Sequence, residues 1–394
     1  MKPSKQQIDE LLTRGVEKVI EGDILKKKLL SGEKLRIKHG VDPTGRDLHL
    51  GYSVVYRKLR EFQKLGHQVI FLIGDFTGRF GDPTDKDTAR KLRSGKEVRD
   101  MAKEYIKQLS KILDIKKVEV RYNSEWYDNW SGEDMLRLES KFTVDQMLKR
   151  DMFEKRHKDG KDIRYHEPVY PMLQGWDSLE LKADVTVIGT DQTFNELQAR
   201  KLQEQEGQKP QDLMIVPLLV GTDGTMKMSQ SLGNDIGLAE TPDSQFGKIM
   251  SIPDQAVNSY FELCTDVPLD EIKKIIKGNP RDAKMRLAHE VVELYHGKAA
   301  AKKAEEQFVK TFQKKEVPEK VRELRIMNHE LGIVDLLVKA KLAGSKGEAR
   351  RVVEQGGVRV EGKTIKDANT TVTLTKKGVL IQKGKRYFVR VYGA

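Results

Sequence analysis

The chain has 394 residues, 38% hydrophobic and 34% charged, with one cysteine and a formal net charge of +12. That length exceeds one ordinary core and points to two or three domains. No apolar run approaches the roughly 20 residues of a membrane span, and the single Cys264 excludes an internal disulfide and has no thiol partner for a structural zinc site.

The N-terminal MKPSKQQIDELLTRG is a charged helical pattern without the apolar stretch and small-residue cleavage site of an export signal, so a cytoplasmic location is expected. Next, KLRIKHGVDPTGRDLHLGYSVVYRKLREFQKLGHQVIFLIGDFTG reads as a strand, a Gly/Pro loop, a helix beginning near Leu48 and a second strand, which is a βαβ unit. Val54, Val55, Leu59 and Phe62 recur at a spacing that turns one helix face toward a sheet. Val69 to Ile73 is unbroken apolar sequence, as in a parallel strand buried on both faces. ADVTVIGTDQ and LMIVPLLVG are two more apolar runs that end in Gly or Asp, where α/β folds place ligand-binding loops. Residues 1–232 are therefore read as a Rossmann-like, doubly wound parallel-sheet domain of α/β class, interrupted at about 120–190 by an inserted helical segment rich in Trp, Tyr and charge.

Residues 233–325 are helical and charged, a small all-α domain closed by the polar, Pro-containing linker KKEVPEKVRELRI. Residues 326–394 form an α+β module that holds fourteen Lys and Arg against six Asp and Glu, so +8 of the net +12 lies there. Such concentration favours a nucleic-acid partner over a charge spread for solubility.

Two short elements carry chemistry. Pro43 to Tyr52 sets a proline turn, the Thr44 hydroxyl, His49 and Gly51 at the start of a helix. Backbone N–H groups and the helix dipole favour phosphate there, Gly51 lets a flat base or ribose approach the backbone, and Thr44 and His49 can donate to phosphate oxygens. An N-capped surface helix with a chance His is the ordinary alternative. In the second element, DGTMKMSQS at Asp223 to Ser231, a lysine on a Gly-bearing loop can close over a triphosphate and stabilise charge as pyrophosphate leaves. A mobile surface loop is the plain alternative.

Taken in order, HLGY at His49 and KMSQS at Lys227 resemble the HIGH and KMSKS signatures of class I aminoacyl-tRNA synthetases. GVDPT at Gly40, FTGRFGDPT at Phe76, NSEW at Asn123, YPMLQGWDS at Tyr170 and GTDQ at Gly189 are similar to the tyrosyl-tRNA synthetase family, in that family's order, over almost the whole chain. The resemblance implies that L-tyrosine is activated by ATP to tyrosyl-adenylate and passed to the 3′ end of tRNA(Tyr), with ATP a substrate carrying Mg2+ and no tightly bound cofactor or protein metal site. It implies catalytic roles for Thr44, His49, Lys227 and Gln230. The ATP set would be Gly40, Asp42, His49, Gly51, Tyr52, Gly189, Asp191, Lys227, Met228, Ser229 and Gln230. The tyrosine set would be Lys38, Thr77, Asp82, Asn123, Tyr170, Gln174, Asp177 and Gln192, with Asp82, Tyr170 and Gln174 at the amino group, Gln192 near the reacting carboxylate and Asp177 at the hydroxyl.

Spacing alone supports one part of this set: steps of four and three place Tyr170, Gln174 and Asp177 on one helix face, where a polar outward stripe is the alternative. The chain departs from the family pattern at Tyr52, which replaces the last His of HIGH, and at Gln230, which replaces the second Lys of KMSKS. It departs again at Lys38, where one branch has a tyrosine reaching the hydroxyl, and at Trp176, often Tyr. A tryptophanyl enzyme and a synthetase-derived RNA-binding protein without activity are the rival readings.

In the last module, Lys346, Arg350 and Arg351 follow Ser345 at near-helical spacing and suit phosphate contacts. The segment is similar to the RNA-binding fold named after a small-subunit ribosomal protein, which bacterial tyrosyl enzymes carry at this end. The resemblance further implies an anticodon-binding role for residues 233–325 and a homodimer joined through the inserted segment.

Overall fold

The computed structural model describes residues 3–43, 45, 47–82, 93–312, 321–327, 329–384 and 387–393. Two compact units divide the chain, Met1–Ala301 and Lys302–Ala394. Among the described residues no helix is long and apolar enough to cross a membrane.

The first unit is built on one sheet of β1 (Lys18–Ile20), β2 (Arg36–Val41), β3 (Gln68–Ile73), β4 (Val118–Tyr122), β5 (Val185–Gly189) and β6 (Asp212–Val216), in the order β1-β6-β5-β2-β3-β4. β2 to β6 run parallel, and β1 closes the β6 edge antiparallel. From β2 the chain winds outward through β3 to β4, then returns beside β2 as β5 and winds the other way. In doubly wound sheets such a reversal opens a ligand crevice at the carboxyl ends of the two central strands. Here those ends are Val41 and Gly189, so Asp42 and Thr190 open the segments that flank it.

The local sequence explains these elements. Val69, Ile70, Phe71, Leu72 and Ile73 are all buried in β3 because helices cover both faces of a parallel sheet. Helix α1 (Leu50–Lys64) buries Val54, Val55, Leu59 and Phe62, the stripe its periodicity predicts. It starts two residues later than Leu48, with His49 as its N-cap. Between β4 and β5 the chain forms a run of short helices from Ser124 to Lys158, then α2 (His166–Glu180); β4 and β5 themselves belong to the sheet. Helix α3 (Thr193–Gln205) follows β5 and packs along α2.

Beyond KMSQS come α4 (Pro242–Met250), α5 (Val257–Cys264) and α6 (Pro280–His296). The residues after α5 are tied to α1: Arg57 donates to the Thr265 carbonyl and, at 2.6 Å, to Asp266, which also takes a bond from Arg60 at 2.5 Å. Burial opposes ionisation of Asp266, but the two guanidiniums prevail and hold it at about 2.

The second unit contains β7 (Arg322–Arg325), β8 (Glu330–Gly332), helices α7 (Ile333–Lys339) and α8 (Lys346–Glu354), and strands β9 (Val358–Val360), β10 (Lys363–Ile365), β11 (Thr371–Thr373), β12 (Val379–Lys383) and β13 (Tyr387–Tyr392). Its main sheet has the order β10-β9-β12-β13-β7, with β8 and β11 as a separate ribbon. Ile333, Leu336, Leu337, Val353, Val358, Ile381, Val389 and Val391 form its core. The expected linker needs one correction: Arg322–Arg325 is not a connector but an edge strand, paired parallel with β13. Three of its four residues are exposed, so it carries none of the apolar alternation that marks a strand.

Candidate active site

The two signatures meet at the crevice. His49 caps α1, its Nδ1 accepting from the Gly51 amide at 3.2 Å, which leaves the ring proton on Nε2. Burial pushes this histidine down to about 4, so at neutral pH it is an uncharged donor beside a helix N-terminus. Gly51 is sterically required, since a Cβ there would lie 2.9 Å from both Cε1 and Nδ1 of His49 and 3.6 Å from the Met228 Cβ. Tyr52 lies with its ring 4.5 Å from the His49 ring and stacks on Tyr56, so the departure from HIGH is absorbed into an aromatic stack.

Gln230 joins the loops directly: its Nε2 donates at 2.7 Å to the carbonyl of Asp47, 183 residues away in sequence. The Asp47 region is fixed in turn by the helix Gly95–Leu109, whose Gln108 accepts from the Leu48 amide at 2.7 Å and donates to the Asp47 carboxylate at 2.9 Å. Within the KMSQS loop, Asn234 accepts from the Ser229 amide at 2.8 Å and donates to the Lys227 carbonyl at 3.1 Å. Met228 is buried, and the Lys227 ammonium reaches across to Asp191, after β5, at 3.4 Å. At Gly189 a Cβ would lie 2.9 Å from an Asp191 carboxylate oxygen, so the missing side chain keeps that approach open. Gly40 is less constrained, a Cβ there meeting Leu72 only at 3.7 Å. Thr44 lies outside the described residues.

A second cluster extends from β2 along α2. Asp42, expected with the nucleotide set, is bonded to two members of the tyrosine set: Thr77 donates at 2.8 Å and the Tyr170 hydroxyl at 3.0 Å. Asn123 donates to Thr77 at 2.9 Å and to Asp177 at 3.4 Å, and Trp126 donates its indole N–H to the other Asp177 oxygen at 3.1 Å. Burial raises the Asp177 carboxyl to about 7, against the pull of Lys38 and of its hydrogen-bond donors. Tyr170 and Asp177 are buried and Gln174 half-buried on the same face of α2, which removes the outward-stripe alternative. Trp176 points elsewhere, with its indole donating to Glu180 at 2.9 Å and its ring packed edge-on against Trp130.

Lys38 is not presented to a ligand. It is 1% exposed, and its ammonium is taken up by Ser178 Oγ at 2.5 Å, both Glu196 oxygens at 3.1 and 3.3 Å, and the Gln174 carbonyl at 3.5 Å. A buried ammonium needs a carboxylate, and that partner was not legible in the motifs. Glu196 also accepts from Gln174 Nε2 at 2.7 Å and from Gln211 at 2.7 Å. Asn195 donates to Gln174 Oε1 at 2.7 Å and Gln192 Oε1 at 3.1 Å, and Gln192 Nε2 donates to Asp82 at 2.9 Å. Trp126 lay inside the NSEW motif, while Asn195 and Glu196 follow GTDQ closely. Their signal was two polar residues in the first turn of a helix that buries Ala199 and Leu202.

In the second unit, α8 exposes Arg350 and Arg351, while Lys346 is paired with Asp335 at 2.7 Å.

Nucleotide-type loops 183 residues apart in sequence, clasped at the switch point of a doubly wound sheet, define a class I tRNA synthetase, and the profile of "tRNA synthetases class I (W and Y)" matches residues 30–313. The profile of the "Tyrosine–tRNA ligase SYY-like C-terminal domain" matches residues 312–391. The tyrosine–tRNA ligase of Dehalococcoides mccartyi is 49% identical over 98% of this chain and 99% of its own, and that of Thermotoga maritima 46% identical over 100% and 98%. A C-terminally truncated mitochondrial tyrosyl-tRNA synthetase from Aspergillus nidulans has the same fold, with a TM-score of 0.65 at 25% identity over 78% of this chain and 95% of that one. The chain belongs to the tyrosine–tRNA ligase family.

Proposed function

We infer that this chain is a tyrosine-activating enzyme: it joins L-tyrosine to ATP, releases pyrophosphate, and transfers the tyrosyl group to the 3′ end of tRNA(Tyr). The observation that carries the reading is the buried Asp177, set at the far end of the Tyr170, Gln174 and Asp177 face and lined by Asn123 and Trp126. A phenol hydroxyl would find an acceptor there, whereas a phenyl ring would set an apolar edge against a buried carboxylate that only Asn123 and Trp126 then satisfy, and a bulkier indole would have to place its N–H where the phenol hydroxyl fits.

At the other end, Asp42, Tyr170, Gln174 and Asp82 would surround the tyrosine ammonium, with Thr77 and Asn123 steadying Asp42 and Asp177. Gln192 would lie against the carboxylate. A carboxylate oxygen attacks the α-phosphorus of ATP, forming an O–P bond as the bond to pyrophosphate breaks. His49 Nε2–H, the α1 amides and Lys227, the last now on Asp191, would contact phosphate, and Gly189 with Asp191 the ribose. ATP would bring Mg2+ on its phosphates, which neutralises charge on the departing pyrophosphate. Gln230 cannot add a charge, so its role would be to hold the Met228 and Ser229 backbone against the HLGY loop. In the second step, a terminal ribose hydroxyl of tRNA attacks the adenylate carbonyl and AMP leaves.

We assign residues 1–232 to catalysis, 233–325 to an anticodon-binding helical part and 326–394 to RNA binding, with Arg350 and Arg351 on phosphates and Lys346 contributing less because Asp335 holds it. Family resemblance supports a cytoplasmic homodimer. Incubation of the full chain with tyrosine, ATP, Mg2+ and tRNA(Tyr) should yield tyrosyl-tRNA. Tight tRNA binding with no charging would instead favour the RNA-binding protein without activity.

A further inference from the structure

Five side chains form an unbroken relay beneath the proposed amino-acid pocket, with a carboxylate at each end. Glu196 accepts from Gln174 Nε2, Asn195 donates both ways to the oxygens of Gln174 and Gln192, and Gln192 Nε2 ends on Asp82. Carboxylates only accept, so each forces the neighbouring glutamine to turn its NH2 outward and its oxygen toward Asn195. Asn195 has two amide hydrogens and serves both; its own oxygen is buried without a partner, the residue of a relay whose polarity is set from its ends. Glu196 is 1% exposed, and Lys38, 3.1 Å away and equally buried, balances its charge.

We propose that Glu196 is a positioning residue for amino-acid recognition, fixing the amide of Gln174 so that Oε1 keeps a lone pair for the tyrosine ammonium. The proposal rests on the assignment of Gln174 to that ammonium. Without Glu196 the amide is free to flip and present N–H to a positive charge, which repels where the native orientation attracts. Lys38 serves as the counter-ion of this carboxylate, which is why it occupies a place where another branch has a tyrosine.

The test compares equilibrium binding of L-tyrosine with that of 3-(4-hydroxyphenyl)propionate, the same molecule without its amino group, to the full-length protein. In Lys38→Met/Glu196→Met both charges are removed together, so no buried charge is stranded. That variant should bind tyrosine roughly tenfold or more weakly while binding the desamino compound within about twofold of wild type, as loss of one oriented hydrogen bond to a charged group requires. Lys38→Met/Glu196→Gln, which also strands no charge and whose amide oxygen can still accept from Gln174, should fall between wild type and the double methionine variant and serves if that variant fails to fold. Equal weakening of both ligands means that Glu196 is only structural and overturns the proposal. Unchanged tyrosine binding also overturns it, while the assignment of Gln174 stands if Gln174→Leu alone reduces the preference for tyrosine over the desamino compound. Should Gln174→Leu leave that preference intact, the assignment of Gln174 falls and the proposal with it.

Discussion

Replacing Asp177 by Asn should relax the choice between tyrosine and phenylalanine. Asp177 already accepts from Asn123 and Trp126, so an Asn at this site must aim its NH2 at one of two fixed donors or at the ligand hydroxyl. The charge-assisted bond to the hydroxyl, worth about 1.5–3 kcal/mol, is lost or reversed, and the ratio of kcat/KM for tyrosine over phenylalanine should fall about ten- to a hundredfold. A pH dependence separates this cause from general damage. The carboxyl titrates near 7 in the folded protein, and only its ionised form is a full acceptor. Wild-type discrimination should therefore rise between about pH 6 and pH 8, and Asp177→Asn should flatten that rise. Both are read from ATP–pyrophosphate exchange at saturating ATP with each amino acid. An unchanged ratio in Asp177→Asn, or discrimination flat with pH in the wild type, would remove Asp177 from hydroxyl recognition.

The same shift bears on stability. Because burial raises this carboxyl from 3.8 to about 7, the native protein binds more protons than the unfolded chain between those values, and its stability must decline as pH rises across that interval. Thermal unfolding without ligand should show a smaller decline in Asp177→Asn; an identical one would mean that Asp177 is ionised throughout. Lys227→Ala should slow single-turnover adenylate formation about a hundredfold with little change in tyrosine affinity, as a group acting on leaving pyrophosphate requires. Equal losses in both would make it a ground-state contact. Gln230→Ala removes the 2.7 Å bond to the Asp47 carbonyl and should raise KM for ATP by a factor of about five; no change would show that the clasp contributes nothing to nucleotide binding. Replacing Arg350 and Arg351 with Gln should weaken tRNA charging, flatten its salt dependence by roughly two counterions, and leave pyrophosphate exchange intact, whereas loss of exchange would point to misfolding.

Much of the fold was legible because its signals are local. The apolar run at Val69 to Ile73, the α1 stripe and the apolar run that ends at Gly189 each follow from a pattern a few residues long. The strand at Arg322–Arg325 was not legible, since an exposed edge strand is defined by its partner β13 rather than by its own pattern. In the site, family resemblance named Tyr170, Gln174 and Asp177, and helical spacing agreed by placing the three on one face. The pairing of Lys38 with Glu196 is not written in the sequence, since they are 158 residues apart and no periodicity links a buried cation to its counter-ion across that distance. Asp42 joins the nucleotide set only through the family resemblance; its bonds to Thr77 and Tyr170 depend on how the Thr77–Phe80 turn and α2 converge, which sequence order does not encode.

ATP–pyrophosphate exchange measured on the full chain with tyrosine, tryptophan and phenylalanine in parallel tests most directly whether this pocket selects a phenol. Exchange driven by tyrosine, with phenylalanine and tryptophan weaker by at least about a hundredfold in kcat/KM, is the expected result. Exchange driven by tryptophan, or by none of the three, would contradict it.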